Sequence, residues 1–338
     1  MTDITIIGAG NSGLAMAAHL SYLRNNICLW NRTPENIRDL LSSPCITSDG
    51  VVAGKIPIDT VTSDISIAGQ YSDTILVATP ANSHRDIAKK ISPHLKDNSF
   101  ILLNPGRTFG ALEFRNTLIE QQCPVQPVIA ESQTNLYTCR KTSPTHVNII
   151  AIKKDVLLSG INPEQNDSLV QRIPMGIRSF FIPAESMIET SIGNVGMILH
   201  PAVTILNTGG VENPHRSFKH YYEGITPTVA HFLEKLDRER ITVSQELGKP
   251  VESTAGWLRR SYHLQGSSLY ECIQNNQSYR AIDAPVTLHH RYICEDIPYG
   301  LSPLEAIGKK LGLPMKSCGL VIDMASEMMD TDLREKGR

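Results

Sequence analysis

Three glycines, Gly8, Gly10 and Gly13, stand in a Gly-x-Gly-x-x-Gly turn directly after the apolar run Ile4, Thr5, Ile6, Ile7. The first glycine permits a tight turn, the second lets backbone amides approach a diphosphate, and the third lets the next helix pack closely on the strand. Residues 14–20 read as that helix, and Ile27, Cys28, Leu29 and Trp30 read as a second strand. In this setting the spacing predicts a dinucleotide-binding fold. Asn11 and Ser12 sit at the helix N-terminus, where partial positive charge favours phosphate. A plain glycine turn in some other α/β protein is the alternative.

Apolar runs recur at 74–78, 100–103, 125–130 and 147–152, with helical or loop segments between several of them. That alternation predicts a Rossmann-type, doubly wound parallel sheet. Thr79 and Pro80, and the run Asn104, Pro105, Gly106, Arg107, follow strand ends, where such folds bind ligands, although each is equally readable as a Pro/Gly turn. Near residue 183 strand signals give way to helices. Thr226 caps Pro227 ahead of a helical pattern that Gly248 ends, and Ser302, Pro303, Leu304, Glu305 read as a capping box for a helix ended by Gly312 and Pro314. The division expected is a dinucleotide-binding domain over 1–184 and an all-α substrate domain over 185–338, sharing a cleft.

Composition excludes several functions. A formal net charge of -2 over 338 residues offers no electrostatic footprint for nucleic acid. The longest apolar stretch, 195–206, is broken by His200 and Pro201 and is too short to span a bilayer. The first strand begins so early that no cleavable leader is expected before it. Seven cysteines without a C-x-x-C pair argue against a disulfide framework or a metal site and suit a reducing cytoplasm.

The end of the second strand indicates which dinucleotide. An NAD-preferring fold usually places Asp or Glu there, on the ribose hydroxyls. This chain has Asn31, Arg32 and Thr33 instead. A neutral amide, a planar cation and a hydroxyl suit a 2′-phosphate, so NADP(H) is expected over NAD(H). The competing reading is that Arg32 is a solvated surface cation.

His200 is a polar residue in the most apolar stretch of the second domain, and Pro201 forces the helix to kink or start there. A buried histidine satisfied by a nearby carbonyl is one reading. A catalytic histidine is the other, with a carboxylate such as Asp296 on one ring nitrogen, so that the second nitrogen exchanges a proton near neutral pH. Arg291 could orient a substrate carboxylate through two parallel hydrogen bonds, or form a surface salt bridge. Tyr221 and Tyr222 suit an amine pocket or a subunit contact, so a homodimer stays open. Trp257 reads as core.

Four segments carry a resemblance to a known family: Asn104 through Phe114, Ala130-Glu131-Ser132-Gln133-Thr134, Tyr221-Tyr222-Glu223-Gly224, and Glu295 through Leu301. Together with the histidine-proline helix they resemble the octopine/nopaline (opine) dehydrogenases over nearly the whole chain. The resemblance implies a nucleotide domain followed by a helical domain, and reductive condensation of a 2-oxo acid with the amine of an amino acid. It also implies that His200 and Asp296 are the catalytic dyad and that Arg291 holds a substrate carboxylate. The Asn31-Arg32-Thr33 run departs from the NADH-using members. Alternatives are reduction of a ketone to a 2-hydroxy acid, reduction of a preformed imine, or a nucleotide-binding sensor without turnover.

Overall fold

The isoleucines of β1 (Asp3–Ile7) have no exposed surface, as a strand covered on both faces requires. The computed structural model describes residues 1–338, which divide into the units Met1–Ser191 and Ile192–Arg338.

In the first unit β1 is followed by α1 (Asn11–Tyr22), β2 (Asn26–Trp30), β3 (Cys45–Gly50), β4 (Gly54–Pro57), β5 (Thr60–Thr62), β6 (Thr74–Val77), β7 (Phe100–Leu103) and β8 (Val128–Ser132). Then come β9 (Tyr137–Ser143), β10 (His146–Ile152), β11 (Val156–Gly160) and β12 (Phe181–Pro183). Eight strands form one sheet in the order β12-β11-β8-β7-β6-β1-β2-β5. Every pairing in it is parallel except that of β11 with β8. The chain leaves β1 for β2 on one side and returns to β6 on the other, so the switch point of the sheet lies between β1 and β6.

The run 147–152 is a strand, as expected, but it does not join that sheet. As part of β10 it belongs to a separate four-stranded sheet, β4-β3-β10-β9, with β3 parallel to β10 and the outer pairs antiparallel. An apolar run identifies a strand but not its partner, and β10 pairs with residues about a hundred positions earlier. The small sheet packs over α1, and Ile46, Ile56, Tyr137, Val147 and Ile149 share a core with Leu14, Met16 and Leu20. That cover explains why α1 carries no charged residue: a helix without a polar face must be buried. His19, on α1, is bonded through Nδ1 to the Tyr137 hydroxyl at 3.0 Å.

In the second unit the only β pairing is an isolated bridge between Lys219 and Asp283; its other regular elements are helices, joined by loops. The helices that matter here are α2 (Gly196–Leu199), α3 (Pro201–Leu206), α4 (Pro227–Glu246), α5 (Arg291–Cys294) and α6 (Ser302–Lys310). The Thr226 hydroxyl accepts from the Val229 amide at 3.3 Å and caps α4, and Gly248 ends it with φ of +87°. Arg240, fully buried on α4, reaches the Asp237 carboxylate and the carbonyls of Ile192 and Glu252 at 2.7–2.9 Å. Asp237 also accepts from the Thr254 amide and hydroxyl. This network fixes the segment that leads into α2. Trp257 is buried.

The capping box expected at Ser302 is not formed. A π-helical turn, Ile297–Leu301, runs straight into α6, so Ser302 begins inside helical backbone. Its hydroxyl donates to the Leu333 carbonyl, while the Glu305 carboxylate takes Arg334 and Lys309. No helix of the chain is long and apolar enough to cross a membrane.

Candidate active site

The glycine loop lies at the carboxyl end of β1, beside the loop that follows β6. Gly8 has φ of +109°, and a Cβ there would lie 2.6 Å from Cγ2 of Thr79 and 3.0 Å from the Ala78 carbonyl oxygen. A side chain at Gly13 would strike the Gly8 carbonyl, whereas one at Gly10 would meet nothing within 4 Å. The first and third glycines are therefore demanded by packing, and the second borders open space where a ligand can approach the backbone. Gly10 caps α1, and the Ser12 hydroxyl next to it is buried without a protein partner. The Asn11 carboxamide accepts from the Lys141 amide at 2.6 Å, and the Lys141 ammonium donates to the Ala9 carbonyl at 3.2 Å. Lys141 thus braces the loop from the small sheet, and its partial burial lowers its pKa.

At the end of β2, Asn31 accepts from the Thr33 amide at 3.0 Å. The Arg32 side chain is 62% exposed and 3.5 Å from Asp86. Thr79 and Pro80 are tied by Ser83, whose hydroxyl bonds the Thr79 hydroxyl at 2.8 Å and the Pro80 carbonyl at 2.7 Å. A backbone cradle with an unpartnered hydroxyl, and polar groups without a carboxylate at the end of β2, fit a dinucleotide.

The loop after β7 is held by residues that the sequence marked only as parts of motifs, joined by Thr190 and Ser191, which it did not mark. Glu131, at the end of β8 and fully buried, accepts from the Ala111 amide and from the hydroxyls of Thr190 and Ser191 at 2.5–2.9 Å. Ser191 in turn accepts from the Phe109 amide at 3.0 Å. Arg107 and Phe109 have φ of +61° and +56°, a left-handed backbone uncommon for residues with a side chain. Asn104 bonds the Ser132 hydroxyl and the Leu136 amide. The sequence motifs around 104 and 131 are therefore one structural unit, which no local pattern could have revealed.

In the second unit the helix breaks at His200, between α2 and α3. Asp296, 96 residues later, stands between α5 and the π-helical turn Ile297–Leu301, and its Oδ2 lies 2.8 Å from His200 Nδ1. The Asp296 side chain is 1% exposed and that of His200 17%. A carboxylate only accepts, so Nδ1 carries the hydrogen and Nε2 of the neutral ring is left as the acceptor. The Tyr221 hydroxyl lies 3.1 Å from that Nε2. Tyr292, on α5, stacks on the His200 ring at 4.0 Å between centroids and 13° between planes.

His220 is fully buried beside this pair, and its Nε2 donates to the Leu199 carbonyl at 3.1 Å. Its Nδ1 has no partner. Burial, reinforced by the nearby His200, lowers its pKa to about 3 and keeps it neutral. Arg291, one turn before Asp296, bonds the buried Glu295 carboxylate at 3.1 Å and leaves its side chain 43% exposed. The structure brings His200 and Asp296 together and sets Arg291 at the start of α5, the helix just before Asp296. Tyr221 is 4% exposed and packs on Tyr279 rather than facing outward; Tyr222 donates to the Asn276 carbonyl.

Residues 183–329 match the family model described as the NAD/NADP octopine/nopaline dehydrogenase alpha-helical domain. Residues 3–130 match the NAD-dependent glycerol-3-phosphate dehydrogenase N-terminus. The chain is 34% identical over 334 residues to an opine dehydrogenase of Arthrobacter sp. (strain 1C), covering 98% of this chain and 92% of that protein. It is 21% identical to a vitopine synthase of Allorhizobium ampelinum, over 100% and 94% of the two chains. Among solved structures, a yersinopine dehydrogenase with NADP+ bound superposes with a TM-score of 0.82 at 14% identity, covering 100% of this chain and 93% of that one. An octopine dehydrogenase in complex with NADH and agmatine gives 0.79 at 18% identity, with 98% and 90% covered. These two likenesses establish a shared fold.

Proposed function

Because this chain belongs to the opine dehydrogenase family, we propose that it is an NAD(P)H-dependent oxidoreductase acting on CH–NH bonds, which reductively condenses a 2-oxo acid with the amine of an amino acid. The observation that carries this reading is the 2.8 Å contact between His200 and Asp296, inside the helical region that matches the family model. The dinucleotide, when bound on the glycine loop, supplies the hydride that reduces the imine carbon.

In this reading Arg291 anchors the carboxylate of the oxo acid, sharing its guanidinium with Glu295, and so limits the poses open to the reacting carbon. His200 is the general acid and base. In its protonated form it gives a proton to the hydroxyl of the amine adduct, which leaves as water, and the neutral ring can take a proton from the attacking amine. Asp296 fixes the Nδ1–H tautomer and stabilises the imidazolium. Gly8, Gly10 and Gly13 with Asn11, Ser12, Thr79 and Pro80 would hold the dinucleotide.

Asn31, Arg32 and Thr33 support NADP(H) over NAD(H), since the exposed guanidinium and the neutral amide suit a 2′-phosphate and no carboxylate at the end of β2 repels it. Seven free cysteines fit a reducing cytoplasm. The test is NADPH oxidation with a 2-oxo acid alone and with amino acids or simple amines added. Amine-dependent turnover, with a product mass equal to oxo acid plus amine less one oxygen atom, supports the reading; equal rates without amine support a 2-hydroxy acid dehydrogenase instead.

A further inference from the structure

We propose that Tyr221 is the positioning residue that holds His200 Nε2 and passes protons between it and Tyr292. The inference rests on the reading of His200 as general acid and base. With Nδ1 committed to Asp296, every proton that His200 exchanges must cross Nε2, and the hydroxyl at 3.1 Å from that atom is Tyr221. A phenol both donates and accepts. It therefore matches a bare Nε2 by donating and a protonated one by accepting, without moving its ring.

The ring is held on two sides. It stacks on Tyr279 at 4.0 Å and 18°, and meets the edge of His220 at 4.8 Å and 89°. Phenylalanine would fill the same space. What the hydroxyl adds is its reach to Nε2 and its hydrogen bond with Tyr292, which is half-buried and not sealed in the core.

Burial, with Tyr292, Tyr262 and Asp296 nearby, raises the Tyr221 pKa well above its ordinary value. A free phenolate is thereby disfavoured, so a relay must be concerted: the Tyr221 oxygen takes the proton from Nε2 as its own proton passes to the Tyr292 oxygen and the Tyr292 proton passes on to the hydroxyl of the substrate adduct, and the reverse sequence, fed by the proton of the attacking amine, restores the imidazolium. Protons are conserved at each step and no charge is left on Tyr221 or Tyr292. The groups that face the His200 ring are Asp296, Tyr221, Tyr292 and the neutral His220, with His290 packed edge-on against Tyr292 at 4.5 Å. Tyr292 covers the face of the ring, and the Tyr221 hydroxyl meets its Nε2 edge.

The experiment compares Tyr221→Phe, Tyr292→Phe and His200→Asn with the wild type, using NADPH, a 2-oxo acid and an amino acid across pH in water and in deuterium oxide. For Tyr221→Phe the expected result is a kcat lowered about tenfold or more, with KM for NADPH within about twofold. Its solvent isotope effect on kcat rises to about twice the wild-type value, and the acid limb of its pH profile is displaced. Tyr292→Phe moves the isotope effect the same way and decides the matter if Tyr221→Phe does not fold. The relay is overturned if both phenylalanine variants keep the wild-type pH profile and isotope effect, whether or not kcat falls, because a pure packing role would leave both unchanged. If His200→Asn stays active, the catalytic reading itself fails and takes the relay with it; if it is inactive while both phenylalanine variants behave as wild type, only the relay fails.

Discussion

Replacing Asp296 by asparagine removes one charge and leaves the shape of the site almost intact. The carboxylate oxygen lies 2.8 Å from His200 Nδ1 and the Asp296 side chain is 1% exposed, so the centres of charge of a carboxylate and an imidazolium would lie about 4 Å apart in a poorly solvated place. At an effective dielectric constant of about 20 such a pair gains roughly 4 kcal/mol. At about 1.4 kcal/mol per factor of ten, the imidazolium that drives water loss becomes about a thousandfold less accessible. An asparagine can also offer its NH2 group to Nδ1 and select the wrong tautomer, which adds to the loss. The assay is kcat/KM for the 2-oxo acid with amine and NADPH saturating, measured across pH, with NADPH affinity followed separately by fluorescence. The expected result is a fall of about two to four orders of magnitude in kcat/KM with NADPH affinity within about twofold. A variant within tenfold of the wild type would refute the assignment of Asp296 as the partner that stabilises charge on His200.

Three further outcomes follow from the same geometry. Arg32→Ala lowers the ratio of NADPH to NADH efficiency by about tenfold, the worth of one partly exposed guanidinium–phosphate contact; an unchanged ratio in steady-state kinetics would leave Arg32 a surface cation. Arg240→Met strands the buried Asp237 carboxylate and two backbone carbonyls, and costs roughly 3–5 kcal/mol of unfolding free energy, read from the urea midpoint; a loss below about 1 kcal/mol would show that the network is not holding the segment before α2. His220 has its pKa lowered to about 3, chiefly by burial, so between that value and its ordinary one near 6.5 the unfolded chain binds a proton that the folded chain does not. Its contribution to stability therefore rises with pH in that window and is lost as pH falls, by up to about 1.4 kcal/mol per unit. Denaturant titrations from pH 7 to 4 should show a shallower decline for His220→Gln, and identical slopes would contradict the buried neutral state.

How far the structure was legible depended on whether each constraint was local. Gly8 and Gly13 announce themselves because a Cβ at either would collide with Thr79 or with the Gly8 carbonyl, and such steric demands leave a mark at fixed spacing. The uncharged α1 was legible as a helix, but the sheet that covers it was not: β3 and β4 are short and rich in Gly, Ser and Thr, and β3 pairs with β10 far along the chain. Ser302 and Glu305 matched a capping box by type, yet the bond from the Leu301 amide to the Asp296 carbonyl had already made the preceding turn helical. In the site, His200 stood out as a polar residue in apolar surroundings, and Asp296 through the resemblance of its loop. Tyr221 was marked only as one of a tyrosine pair suited to an amine pocket or a subunit contact, and His220 and Tyr292 not at all, since ring contacts across separate segments obey no spacing rule. Glu131 was visible only as part of a motif, and its bonds to Ala111, Thr190 and Ser191 show why a carboxylate is needed there.

The reaction proposed is delivery of hydride to an imine formed from two substrates. Its most direct measurement is NADPH oxidation over a matrix of 2-oxo acids and amines, with the product identified by mass. Little oxidation is expected with any oxo acid alone, strong oxidation with a matching amine, and a secondary amine product carrying both carbon skeletons. Rapid oxidation without amine, yielding a 2-hydroxy acid, would contradict it.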